Sequence, residues 1–332
     1  IMEQKVFKKS GLIYNKIGSQ RREILKFITN KVAFGRHETF HLKLAWLPKG
    51  FRAIQENSKL FKDIDSATVT LGVGKNMVLA IRYWLRAAQI INSNDNLPTP
   101  LGKYLLDSKT GKDPFLEDQG TLWLIHWLLA SNTESATTIA WFFSKYHKTN
   151  FNQNELTTAL SDYLKEKVKD TQRPSLITLK RDISVLSRMY TKPQGATVAE
   201  DTLDALLSEL DLIIEQGKST YTSFPDDRDD LPFELIGFAI LEFMSKRASK
   251  KLLPINELTQ ASGDFISIGS LFRLTEAALM VKLEELTRSL PQYFELRDTA
   301  GLSQLYLKEE IPSIKLLDAY YERSDKNLES AA

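Results

Sequence analysis

The chain has 332 residues, of which 42% are hydrophobic, enough to fill the cores of two or three ordinary domains. It has no cysteine, which excludes disulfides, Cys-ligated metal and a thiol nucleophile. The net charge of +2 conceals a strong polarity: residues 1 to 110 hold 19 Lys/Arg against 8 Asp/Glu, a net of +11, and the remainder therefore carries −9. A basic lobe of this kind attracts polyanions.

The start, IMEQKVFKK, lacks the apolar core of a signal peptide, and the longest apolar run, Leu122 to Ala130, is interrupted by His126 and too short to cross a bilayer. A cytoplasmic protein without a membrane span is expected.

Next comes Arg36-His37-Glu38-Thr39-Phe40-His41, which contains H-E-x-x-H. In a zinc hydrolase this pattern lies within a helix, so that two histidines share a face and the glutamate activates water. Here Gly35 precedes it and Pro48 limits any helix after it. The longer form would need glycine at 44 and histidine at 47, where Leu44 and Leu47 stand. The expectation is an extended anchoring segment in which His37 and Glu38 form hydrogen bonds, with no metal, no cofactor and no catalytic residue.

Phe51 to Phe61 predicts a helix, and Ser66 to Val73 a short second one capped by Ser66. Gly74 then makes the turn of a helix-turn-helix. From Lys75, KNMVLAIRYWLRAAQII places Val78, Ile81, Leu85 and Ala88 on one stripe, with Lys75, Arg82 and Arg86 off it. A strand at Ile90-Ile91, a polar wing and a closing helix from about Thr99 complete the unit. The Gly72 to Asn76 stretch is not a phosphate-binding loop: that pattern needs glycine at 69 and Ser or Thr at 76, where Val69 and Asn76 stand.

Residues 113 to 150 concentrate Trp123, Trp127, Trp141, Phe142 and Phe143, which predicts the packing centre of the chain, with His126 a core histidine. A second helix-turn-helix follows in residues 156 to 193, where Thr178 is expected to cap a helix whose Leu179, Ile183, Leu186 and Tyr190 face inward. Lys180, Arg181, Ser184 and Arg188 face outward. Residues 201 to 234 hold ten acidic and two basic residues, and Asp226 to Asp230 is expected to be a disordered acidic loop. A third copy spans 233 to 311: a helix over Phe233 to Lys246, a short one over Ile255 to Ala261, an inner stripe of Leu279, Leu283, Leu286 and Leu290, and a hairpin around Asp298-Thr299-Ala300-Gly301. Its long helix exposes Glu276, Glu284 and Glu285 beside Lys282 and Arg288, a face suited to a protein contact.

The predicted architecture is mainly α, with tandem winged helix-turn-helix-like units and short β-hairpins around an aromatic helical core. The expected divisions are a basic winged-helix-like unit at 1–110, the aromatic core with the second unit at 111–200, an acidic linker at 201–232 and a C-terminal winged-helix unit at 233–332. The residues expected to contact DNA are Lys75, Asn76, Arg82, Arg86, Lys180, Arg181 and Arg188.

Five ordered segments carry a resemblance: RHETFHLKLAWLPKGF; LGVGKNMVLAIRYWLRAAQII with PTPLGKYLL; DPFLEDQGTLWLIHWLLAS; LKRDISVLSRMY; and LDALLSELDLI. Over about residues 34 to 310 the chain resembles the prokaryotic family designated domain of unknown function 4007. The resemblance implies a setting beside genes for DNA sulfur modification (phosphorothioation) and phage defence, and brings no catalytic residues with it. It also puts HETFH inside a different signature. The expected function is a non-catalytic binder of double-stranded DNA in such a system, with its C-terminal unit on a partner protein and homodimerisation left open. A transcription regulator of the same operon, a protein-only scaffold and a zinc hydrolase are the alternatives.

Overall fold

The computed structural model describes residues 27, 29–192, 204–217, 219–245, 251–259, 265–299 and 302–331. They form two compact units, one ending at Phe224 and the other starting at Pro225. Both are mainly helical with a small antiparallel sheet. Among the described residues no helix is long and apolar enough to cross a membrane.

The first unit begins with α1 (Trp46–Glu56), α2 (Ile64–Leu71) and α3 (Lys75–Ala87). α1 joins the helix expected on Trp46 and Leu47 after His41 to the first half of the Phe51 to Phe61 stretch, and Trp46, Leu47, Phe51 and Ile54 all turn inward. Gly50 lets α1 press on α3: a Cβ there would stand 2.7 Å from Leu85 Cδ1 and 2.8 Å from Ile81 Cγ2. The cap of α2 is Asp63, whose carboxylate accepts the N–H groups of Asp65 and Ser66, so Ser66 lies inside the helix it was expected to cap. Gly72 takes the left-handed conformation that ends α2, and Gly74, in extended conformation, opens α3. The expected first wing is only a polar turn closed by an Ile91–Pro98 bridge, before α4 (Pro100–Leu106), which Thr99 caps.

α5 (Gln119–Ala130) and α6 (Thr137–Lys145) are apolar on nearly every side, as helices enclosed by protein must be. Trp123, Trp127, Trp141, Phe142 and Phe143 are buried there, as predicted. His126, also fully buried, meets the Tyr190 hydroxyl at 2.8 Å. Then come β1 (Asn150–Asn152), α7 (Gln153–Lys167), α8 (Leu176–Tyr190), β2 (Ile214–Gly217) and β3 (Thr220–Thr222). The sheet order is β1-β3-β2, with Phe151 opposite Tyr221.

The expected acidic linker is structured wherever it is described, up to Phe224. Leu206, Leu207, Leu210, Leu212 and Ile213 are buried, and the segment around Ala205 pairs with Lys43. Its charges are surface groups on an apolar backbone of contacts, so composition alone misread it.

The second unit contains α9 (Phe233–Met244), β4 (Leu252–Pro254), α10 (Ile255–Thr259), α11 (Ile268–Phe272), α12 (Glu276–Ser289), β5 (Phe294–Thr299), β6 (Leu302–Leu307) and α13 (Ile314–Ala331). The predicted hairpin forms as β5–β6, and β4 joins it in the order β4-β6-β5. The Asp226 to Asp230 stretch is ordered: Asp226 bridges to Leu274 through an N–H to Arg273 O bond of 2.8 Å and a return bond from Thr275 N of 3.1 Å. Lys282, expected on the outer face, is instead buried and reaches Asp229 O at 3.4 Å.

Candidate nucleic-acid interface

The site is built on the HETFH stretch, which is a turn. Glu38 and Thr39 have φ values of 49° and 68°, in the left-handed region, and no helical zinc face can pass through them. The buried His37 ring instead bonds in two directions. Its Nδ1 accepts the Thr39 N–H at 3.2 Å, which assigns the ring proton to Nε2, and Nε2 donates to Asp182 Oδ1 at 2.9 Å. Asp182, on α8, also accepts from Gly35 N at 2.9 Å and Thr138 Oγ1 at 3.1 Å. A buried carboxylate thus has three donors, as its desolvation requires.

The other side of the turn is held by α3. Trp84 lies parallel to the His37 ring and its Nε1 donates to Phe40 O at 3.1 Å. Neighbouring Tyr83 donates to Ser135 O at 2.8 Å; burial, and secondarily the Asp182 carboxylate, push its hydroxyl far above the ordinary tyrosine range. Arg188, also on α8, donates to Thr39 O at 2.6 Å. One turn therefore fastens both α3 and α8; this is the anchoring expected of His37, although in a turn rather than an extended segment, and the Thr39 and Phe40 carbonyls take the part expected of Glu38.

The seven cation and amide positions read from sequence fall into two groups. Lys75 and Asn76 are exposed at the start of α3, with Lys75 3.8 Å from the exposed Asp65, and Lys180 and Arg181 are exposed on α8. Arg82 is half-buried near Arg86, whose guanidinium pKa is lowered first by burial and then by the Arg82 charge. Arg86 Nε is held by Asn96 Oδ1 at 2.8 Å, and Arg188 by the Thr39 carbonyl. These last two shape the protein as well as charging it.

Sequence reading missed three participants. α8 begins two residues before the expected Thr178, because Ser175 caps it by accepting the Thr178 N–H at 3.2 Å. Leu176 and Ile177, then counted outside the helix, are on its outer face and are 59% and 64% exposed. Ser175 directly before the apolar Leu176 was the available signal, since a Ser that immediately precedes an apolar-periodic run marks a helix start. Asp182 offered no local signal, because its partner His37 lies 145 residues away.

A crystal structure described as magnesium-ion-bound SspB is 28% identical, with a TM-score of 0.77, over 87% of this chain and 88% of that one. A second SspB crystal structure is 26% identical, with a TM-score of 0.75, over 90% of each chain. No curated protein matches the chain. The family model described as "Protein of unknown function (DUF4007)" matches residues 34–321, and the chain belongs to that family.

Proposed function

We propose that this chain is a non-catalytic, duplex-DNA-binding component of a prokaryotic DNA sulfur-modification or phage-defence system. The observation that carries the DNA reading is the joint anchoring of α3 and α8 on one turn through its buried His37 and its backbone carbonyls. Both helices put exposed cations outward, Lys75 on one and Lys180 and Arg181 on the other, and both are locked inward through Trp84 and Asp182. Charges on rigid helices can meet phosphates without a large ordering cost. The choice of system rests on the family resemblance.

The element order supports a winged-helix reading of both units. α6, β1, α7, α8 and the β2–β3 hairpin follow the order helix, strand, helix, helix, hairpin, with the first strand beside the last. α9, β4, α10 with α11, α12 and the β5–β6 hairpin repeat it. In such modules the helix before the hairpin enters a DNA groove. α8 is basic there, whereas α12 exposes Glu276 and Glu284 and a 53% exposed Val281. A groove of about 440 Å³ beside α12, lined by Met280, Glu284, Arg288, Leu296, Arg297 and Asp298, has mixed charge that fits a protein partner better than a phosphate backbone.

One similar structure is described as magnesium-ion-bound. Among the described residues of this chain no group of three or more His, Asp or Glu side chains converges as a metal cage, and no step is derived through a metal.

The test is the salt dependence of duplex binding. Lys75→Ala with Lys180→Ala and Arg181→Ala should weaken affinity and flatten the slope of log K against log salt by about 0.9 for each phosphate no longer neutralised. Arg86 and Arg188 are poor choices for this test because Asn96 and Thr39 use them structurally. Unchanged affinity and slope in the triple variant would overturn the assignment.

A further inference from the structure

We infer that α8 reads the C5-methyl groups of thymine in the major groove through Leu176 and Ile177. The inference rests on the DNA reading above and adds to it the base feature recognised. It starts from an anomaly of exposure. Isolated apolar side chains on a surface are ordinary, but here two adjacent large aliphatic residues are each more than half exposed at the start of a helix.

Their surroundings are specific. Projected along a 3.6-residue helix, Leu176, Lys180, Ser184, Ile177, Arg188 and Arg181 lie within one arc, which the buried Ser187 enters only near the C-terminal end, and Ile177 falls between Lys180 and Arg181. The opposite face, Leu179, Ile183 and Leu186, is buried in the unit. An apolar centre between cations matches the chemistry of the major groove of A·T-rich DNA, where thymine methyls lie between two anionic backbones. What favours a duplex over an anionic lipid surface or an acidic protein patch is the place of α8, the helix before the β2–β3 hairpin, which is the groove-entering position of a winged-helix order.

The corresponding helix of the second unit makes the contrast. α12 starts with exposed Glu276 and Ala277 where α8 starts with Leu176 and Ile177, and its next exposed residues are Val281 and Glu284, where α8 has Lys180 and Arg181. The first unit's α3 opens with polar Lys75 and Asn76. α12 also exposes Val281 and Arg288, but with Glu276 and Glu284 on the same surface, whereas α8 sets its exposed aliphatic pair among cations and its one carboxylate, Asp182, is buried. Asp182 and Arg188 hold α8 to the turn, so the pair is presented by a rigid element rather than by a loop.

The experiment compares the full chain on an alternating A·T duplex and on the same duplex with every thymine replaced by uracil, which removes the methyl and nothing else. The wild type should bind the thymine duplex about fourfold more tightly for each methyl touched, with the same salt slope on both because the phosphates are unchanged. Leu176→Ala and Ile177→Ala should each lose much of this preference while retaining the wild-type melting temperature, since neither side chain is in the core. Equal, salt-dependent binding of both duplexes by the wild type overturns methyl reading alone. It is also the result expected if the apolar pair serves a protein partner. No binding of either duplex at low salt overturns the DNA reading and this inference together. A preference for thymine that survives in the Leu176→Ala, Ile177→Ala double variant overturns the assignment to these residues.

Discussion

His37 donates its Nε2 proton to Asp182 across 145 residues of chain, joining the turn before α1 to the middle of α8. Because Asp182 accepts from three buried or half-buried donors, Asp182→Ala should cost about 3 to 5 kcal/mol, the usual penalty for leaving such groups unpaired. Asp182→Asn should cost clearly less, because the Thr138 hydroxyl can reverse and accept from the new amide while Oδ1 keeps its two donors. Denaturant unfolding of both variants checks this. An Asp182→Ala penalty below about 1 kcal/mol would contradict the role given to the carboxylate.

The two candidate caps of α2 can be separated by substitution. Asp63→Ala should lose about 1 kcal/mol, since its carboxylate accepts two first-turn N–H groups, whereas Ser66→Ala should be close to neutral. Thermal melts of the two variants provide the comparison, and the reverse order would restore Ser66 as the cap.

Gly102 is needed for space. A Cβ on it would collide with the carbonyl oxygen of Ile90 and stand 3.1 Å from Phe51 Cε2, so α4 could no longer seat under the end of α3. Gly102→Ala should destabilise by about 1 to 3 kcal/mol despite the better helix propensity of alanine. A more stable variant by calorimetry would show that this approach relaxes freely.

Asp107 supplies a pH marker for the exposed end of α4. The N–H of Lys109, the Gln55 side chain and the Thr110 N–H and hydroxyl bind its carboxylate and bring its pKa down to about 2 from 3.8. A lowered acid pKa contributes stability that is complete above the unfolded value and is lost as pH falls through the folded one. The carboxyl signal of Asp107 in an NMR titration should therefore have its midpoint near 2. A midpoint at the ordinary aspartate value would mean that these bonds do not persist in solution.

In the second unit, Arg323 of α13 makes two bonds, 2.7 and 2.9 Å, to the buried Glu234 of α9. Arg323→Ala leaves a buried carboxylate without its cation and should cost about 3 kcal/mol, with faster hydrogen exchange along α13. Arg323→Lys should recover only part of that loss, because an ammonium cannot reproduce the paired geometry. Unaltered exchange in α13 would show that other contacts dock the helix.

Much of the helical content was readable because it depends on short-range periodicity. The stripes of α3, α8 and α12, the β5–β6 hairpin around residues 300–301 and the aromatic centre at Trp123 to Phe143 all involve neighbours within one or two turns. Caps were harder: Asp63 and Ser66, or Ser175 and Thr178, are equally good capping chemistries three residues apart. Choosing between them requires knowing where the helix packs. The acidic segment was misread because charge was weighed above the leucines beside it, which are buried.

By itself the sequence determined the mainly helical class, the concentration of positive charge toward the N-terminal side and the absence of cysteine chemistry, since these depend on composition and local pattern. Tertiary structure decided that HETFH is a left-handed turn, that Asp182 is the partner of His37, that β1 and β4 each lie beside the last strand of their sheet, and that Leu176 and Ile177 face outward. The physical reason is the same throughout. Buried donors and acceptors must find one another wherever they lie along the chain, and whether an apolar residue at a helix start is covered depends on what packs against it, so local periodicity fixes neither.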